Sequence, residues 1–125
     1  MPKIKIRPSD KYFSWYVRKR DGKCMRCGSP VRFNDKGLPI SHHASHFYGR
    51  GRESTRFDEI NVVTHCHGCH SYLTANPQVH HQWKLEQIGQ REYDLLMLRA
   101  NTYKKRDDKM DLLIAKELLK GLEYR

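Results

Sequence analysis

The chain has 125 residues, 30% of them charged, with 24 Lys and Arg against 14 Asp and Glu and a formal net charge of +10. One compact domain is expected, since domains most often run to about 100–150 residues, and so charged a chain has a thin core that an internal staple would help. No stretch approaches the roughly 20 apolar residues that span a bilayer, and MPKIKIRPSDKYF at the start is no signal peptide, so a soluble protein with reduced thiols is expected.

The charge is one-sided. Residues 1–57 carry 14 basic against 4 acidic residues, and the remainder carries 10 of each. Scattered charge would be an ordinary solvated surface, but an excess confined to one half points to a polyanion, nucleic acid first. A membrane surface fits less well, because the basic residues alternate with turn residues instead of lining a long amphipathic helix.

In chain order, Ser9 or Asp10 can cap a helix over KYFSWYVRKR that ends at Asp21-Gly22, with Phe13 and Val17 on its apolar side. CMRCGSP reads as a tight turn, and VRFNDKGLPI as a strand broken by a turn at residues 34–37. SHHASHF is extended and runs into an irregular Gly- and Arg-rich loop, YGRGREST. NVVTH has the β-branched composition of a strand, and a short helix, HSYLTA, follows CHGC. Asn76-Pro77 starts a further helix that runs to Gly89. QREYDLLMLRA and RDDKMDLLIAKELLKGL are two more. In the last, Leu112, Ala115, Leu119 and Leu122 make one apolar stripe, for which packing within the domain is preferred over a dimer seam.

All four cysteines fall in two CxxC pairs, Cys24/Cys27 and Cys66/Cys69. Four thiolates set tetrahedrally describe a closed structural zinc site. The rival is two disulfides, for which four cysteines allow three pairings, and a reduced compartment favours the metal. Zinc binding contributes an apparent ~10–16 kcal/mol to the folding of small domains.

Histidines remain in excess. His46 ends a strand, Asn61 opens the next, and His70 follows the second CxxC. This order resembles that of an HNH, or ββα-metal, nuclease: a general base on one strand, an asparagine that pins the loop behind it, and a metal ligand on the helix. A neutral imidazole can take a proton from water at neutral pH, and a divalent ion neutralises charge growing on a phosphate. Singly, each residue has an ordinary reading as a strand end, a turn residue or a helix cap. Together and in order, bracketed by the cysteine pairs on a basic chain, they favour the nuclease. His65 and His67 are read as decoration of the zinc turn, His80 and His81 as helix surface. No spacing argument gives His42 or His43 a role.

The stretches DKYFSWYVRKRDGKCMRCG, ASHFYGRGRESTRFDEINV, CHGCHSYLTAN and IGQREYDLL resemble the lambdoid phage NinG family, also called Rap, of recombination endonucleases, and more distantly the endonuclease VII group. The resemblance covers roughly residues 10–97. It implies a phage- or prophage-encoded protein acting in the bacterial cytoplasm, a metal-dependent nuclease selective for branched DNA such as D-loops and Holliday junctions. It also implies His46 as general base, Asn61 as the central asparagine, and His70 as ligand of a catalytic Mg²⁺ or Mn²⁺. Asn76 becomes a second ligand or a cap, and Arg56 a phosphate contact. One position departs from the wider pattern: Ser45 stands where many such nucleases carry an aspartate ligand, and a hydroxyl is a poor ligand for a hard cation. Either the ion keeps more waters, or Asp58 or Glu59 reaches in.

The expected architecture is therefore α+β. A basic N-terminal segment and helix (1–23) leads into a zinc-stapled, HNH-like core (24–76), and a helical extension (77–125) packs on it. Arg18, Lys19, Arg20, Arg50, Arg52 and Arg56 are the expected DNA contacts. A resolvase cutting two strands in concert is most naturally a two-fold homodimer. The rivals are a non-catalytic zinc module that binds DNA and a sequence-specific HNH enzyme.

Overall fold

The structure, a computed structural model, describes residues 4–124; the start of the basic N-terminal segment, residues 1–3, lies outside them. Helix α1 spans Pro8–Asp21, and so begins earlier than the Ser9 or Asp10 cap read from the sequence. Proline suits the first helical position, where its missing N–H would be unpaired anyway. Asp10 then accepts the Arg7 backbone N–H at 2.7 Å, one half of a capping box. Gly22 ends the helix with φ 69°, returning its N–H to the Arg18 carbonyl in the left-handed cap that glycine adopts freely.

The expected strand at 31–40 does not form. Lys23 bridges Pro30 and Phe33 bridges Pro39 as isolated pairs, and each proline lacks the N–H needed to carry a ladder onward. The sheet is a two-stranded antiparallel hairpin, β1 (His43–His46) on β2 (Val62–His65), with Ser45 opposite Val63 and His46 opposite Val62. Between the strands, a short helix α2 (Glu53–Arg56) replaces the expected irregular loop. Its first residue, Glu53, is held by two 2.7 Å bonds from Arg7, a partner 46 residues away that local sequence gives no hint of.

Helix α3 (His67–Ala75) starts directly after Cys66, and α4 spans Pro77–Ala100. Gly89, at φ 83° and ψ 162°, divides α4 into two arms. They fold back far enough for the Tyr93 hydroxyl to reach His81 Nδ1 at 2.8 Å, a separation of about 18 Å in a straight helix. The break falls at the glycine where the sequence ends one helix and starts the next. Helix α5 (Asp108–Gly121) runs into a 3₁₀ turn, Leu122–Tyr124.

The core lies around α1. Phe13, Tyr16 and Val17 pack against Val62 of the hairpin on one side and Ala115 of α5 on the other, with Leu119 and Leu122 beside them. The apolar stripe of the last helix is thus used inside the domain, as the preferred reading had it. Arg56 is buried too, 3% exposed, and pairs with the 2% exposed carboxylate of Asp10 at 2.6 Å. Its Nε reaches the other Asp10 oxygen at 3.0 Å, and it also donates to the Lys5 and Arg50 carbonyls. Burial works against the Asp10 charge, but Arg56 and the Arg7 N–H outweigh it and hold the carboxyl below its ordinary range. All three guanidinium nitrogens are therefore engaged internally, which corrects the expectation that Arg56 contacts phosphate.

Removing one partner of a buried ion pair strands the other charge. Arg56→Ala is expected to lower unfolding free energy by about 3–5 kcal/mol, read from urea titrations, and Arg56→Lys to recover only part because an ammonium lacks the two-pronged geometry. Unchanged stability in Arg56→Ala would contradict this assignment.

Candidate active site and metal centre

Two turns bring the cysteines together. Gly28, at φ 81°, closes the first knuckle, and the Met25 N–H fastens it to the Thr64 carbonyl of β2 at 2.9 Å. The second knuckle is the start of α3, where Cys66 Sγ accepts the Cys69 N–H at 3.4 Å. The four sulfurs lie within 4.8 Å of one another, with Cys27 and Cys66 3.7 Å apart. Tetrahedral zinc with ~2.3 Å bonds places its sulfurs about 3.8 Å apart, so the cluster has the size that the ion needs. All four thiols are free. The Ser29 hydroxyl, 3.3 Å away, helps lower the Cys27 thiol to about 6, whereas burial pushes Cys69 up to about 12. Without an ion Cys69 keeps its proton at neutral pH; a bound cation supplies the charge that a thiolate cluster needs.

Beside the knuckles a cleft of ≈ 440 Å³ opens between α1, β1 and α3, lined by residues that include Arg18, His43, His46, Arg50 and His70. His46 is anchored through Nε2, 2.9 Å from the Arg56 carbonyl. A carbonyl only accepts, so Nε2 carries the proton and the lone pair is on Nδ1. Burial, with the Arg50 charge nearby, lowers the His46 pKa to about 4 and keeps the ring neutral. Asn61 is fully buried. Its amide donates to the Tyr48 and Thr55 carbonyls and accepts the Tyr48 N–H, each within 2.9 Å, and so holds both ends of the loop that carries Arg50. His70 enters from α3 with Nδ1 3.3 Å from the buried Ser45 hydroxyl.

Other expected site residues lie elsewhere. Asn76 is the junction of α3 and α4: its side chain donates to the Tyr72 carbonyl at 2.8 Å, and it is a cap and no part of the cleft. Arg20 pairs with Asp21 and donates to the Glu59 and Val62 carbonyls, which binds α1 to β2 in place of DNA. Arg52 donates to the Ala100 carbonyl and Asn101 at the end of α4. Lys19 is half-buried on α1, outside the cleft lining. Neither acid reaches in: Asp58 pairs with Arg99 at 2.6 Å, and Glu59 accepts from the Tyr16 hydroxyl. Arg18 and Arg50 do face the cleft, and Arg50 Nε is buried with no hydrogen-bond partner, 3.7 Å from Asp10.

Sequence reasoning passed over His43, whose ring stacks on His70 with centroids 5.2 Å apart. The available signal was strand alternation, which puts residues 43 and 45 on one face. His65 is no decoration of the zinc turn: it is fully buried against Trp83, centroids 4.8 Å apart. His80 likewise leaves the helix surface to pack on Phe47.

Fold and cluster together define a small α+β protein whose two-stranded hairpin and helices surround a four-cysteine cluster able to hold zinc. The model of one family, described as Bacteriophage Lambda NinG protein, matches residues 6–123, and the chain belongs to that family. No curated protein and no solved structure matches it. No helix among the described residues is long and apolar enough to cross a membrane.

Elemental analysis is expected to find one zinc per chain, lost on acidification as the thiolates take protons, and Cys24→Ser to bind it well below stoichiometry and melt earlier. Retention of a full zinc equivalent by Cys24→Ser would contradict the four-sulfur assignment. Burial also lowers His80 to about 4, as it does His46. Unfolded imidazoles at the ordinary ~6.5 take up protons that the folded ones refuse, so stability falls as pH drops from about 6.5 towards 4. The melting temperature at pH 5.5 should lie below that at pH 7.5 by several degrees, at roughly 4 °C per kcal/mol, with zinc content checked at both. His80→Phe should narrow the gap.

Proposed function

We propose that this chain is a metal-dependent endonuclease that cuts branched DNA during phage recombination. The observation that carries the reading is that a neutral, anchored His46 and the helix-borne His70 line one cleft together with Arg18 and Arg50. The one-sided basic charge and membership of the NinG family support it.

In this reading His46 Nδ1 takes a proton from a water molecule as the water oxygen attacks phosphorus. The new P–O bond forms as the bond to the 3′ oxygen breaks, and that oxygen takes a proton from solvent water, leaving 5′-phosphate and 3′-hydroxyl ends. A Mg²⁺ or Mn²⁺ held by His70 would supply neutralisation of the charge growing on the phosphate and the leaving oxygen. A base near 4 is weak, but a phosphate entering the cleft raises it, since a neighbouring anion favours the imidazolium. Asn61 keeps the loop behind His46 fixed. Arg18 and Arg50 hold backbone phosphates, contacts that carry no base information and so suit selection by DNA shape.

A second reading, a zinc-stapled module that binds DNA without cutting it, is favoured by one observation: among the described residues no acidic side chain lines the cleft with His70, with Ser45 at the usual ligand position and Asp58 and Glu59 both engaged elsewhere. The two are separated by a nicking assay with Mg²⁺ or Mn²⁺ on a Holliday junction, a D-loop and a linear duplex of matched sequence. Wild type should cut the branched substrates, and His46→Ala should bind them with unchanged affinity while cutting at least about 100-fold more slowly, the usual contribution of a general base. Binding by wild type without cutting in either metal would overturn the nuclease. Cutting of linear duplex at a fixed sequence would overturn the structural selectivity.

A further inference from the structure

The cleft holds more imidazole than one helix ligand and one base require. His43 and Ser45 share a face of β1 by strand alternation, and Ser45 meets His70 of α3 on that face. His43 stacks on His70 at 5.2 Å between centroids, planes 27° apart, and lies 5.7 Å from the ring of His67. His67 and His70 are three apart on α3, hence on one side of it. The described part of this surface is thus built of nitrogen donors, and neither β1 nor α3 contains an acidic residue.

We infer that His43 is the second protein ligand of the cleft's divalent ion, with His70, and that the imidazole pair selects a transition ion such as Mn²⁺ or Co²⁺ over Mg²⁺. This rests on the nuclease reading for what the ion does, but not for where it binds. Hard Mg²⁺ prefers oxygen ligands, whereas imidazole suits the later first-row ions best, and even Mn²⁺, the hardest of that row, accepts nitrogen more readily than Mg²⁺ does. Ser45 then has a use other than that of a weak ligand. Its buried hydroxyl, 3.3 Å from His70 Nδ1, accepts that N–H and leaves the Nε2 lone pair for the ion. Partners of this kind fix the tautomer and heading of a metal-bound histidine. The stacked rings need one adjustment, a rotation of the His43 side chain that turns a nitrogen towards His70 Nε2. His43 is exposed at the start of its strand and is free to make it.

The test is a titration of zinc-loaded protein with Mn²⁺, followed by electron paramagnetic resonance, and with Mg²⁺ as competitor. Wild type should bind one Mn²⁺ and yield it only to a large excess of Mg²⁺. His43→Ala should bind it at least tenfold more weakly, His46→Ala as wild type does, and Ser45→Asp should shift preference towards Mg²⁺ by restoring a carboxylate. Circular dichroism of each variant guards against loss of fold. Wild-type affinity in His43→Ala, equal preference for the two ions, or no binding by wild type beyond the zinc would each overturn the inference. Junction cutting is read separately. If His43→Ala binds normally while wild type cuts, only the inference fails. If the ion binds as inferred and nothing is cut, only the nuclease reading fails.

Discussion

The buried Arg56 guanidinium is the point on which the cleft depends. Its nitrogens bind Asp10 at the start of α1, the Lys5 carbonyl ahead of it and the Arg50 carbonyl in the loop between the strands. Its own carbonyl receives the His46 ring. One residue thereby joins the first helix, the hairpin loop and the histidine proposed as base. An isolated buried charge is costly, so the pair is stable only with its geometry complete. That requirement fixes the distance between α1 and the loop and sets the width of the cleft between them. Asn61 secures the same loop from β2, fully buried and saturated with backbone bonds.

The four-cysteine cluster acts on the other side. It joins residue 24 to residue 69, and with the Met25–Thr64 bond it holds the first knuckle against β2. A histidine link runs from there to the cleft: His42 Nε2 lies 3.0 Å from the Ser29 carbonyl, next to Cys27, and His42 also lines the cleft. His42 has a φ of 67°, unusual for a residue with a side chain, and the turn into β1 keeps this conformation with the ring tied down. Order at the cysteines thus extends to the strand that carries His43, Ser45 and His46.

What could be read in the sequence divides along physical lines. Local signals were legible: both CxxC pairs, the β-branched strand at 62–65, the Asn76-Pro77 start of α4 and its interruption at Gly89, each set by the chemistry of a few adjacent residues. The order His46, Asn61, His70 was legible as well: His46 ends β1, Asn61 precedes β2, and His70 meets Ser45 of β1. Long-range pairing was not. An arginine that grips a phosphate and an arginine that grips a buried aspartate 46 residues away look alike in sequence, so Arg56 was assigned outward, and Arg20 with it. Pro30 and Pro39 did carry a local warning against the strand expected at 31–40, since neither can donate to a ladder. His43 was missed because its partner, His70, lies across the fold and not along the chain.

The reversal at Gly89 has a consequence for the order in which the protein is made. By folding α4 back, it brings the Ala100 carbonyl and Asn101 to Arg52, and Arg99 to Asp58, so residues from the last third of the chain secure the loop between the strands. During translation the residues of the hairpin and of both cysteine knuckles are synthesised before Arg99, Ala100 and Asn101 are. The loop therefore gains this second set of braces, beyond those of Arg56 and Asn61, only after residue 101 has been synthesised.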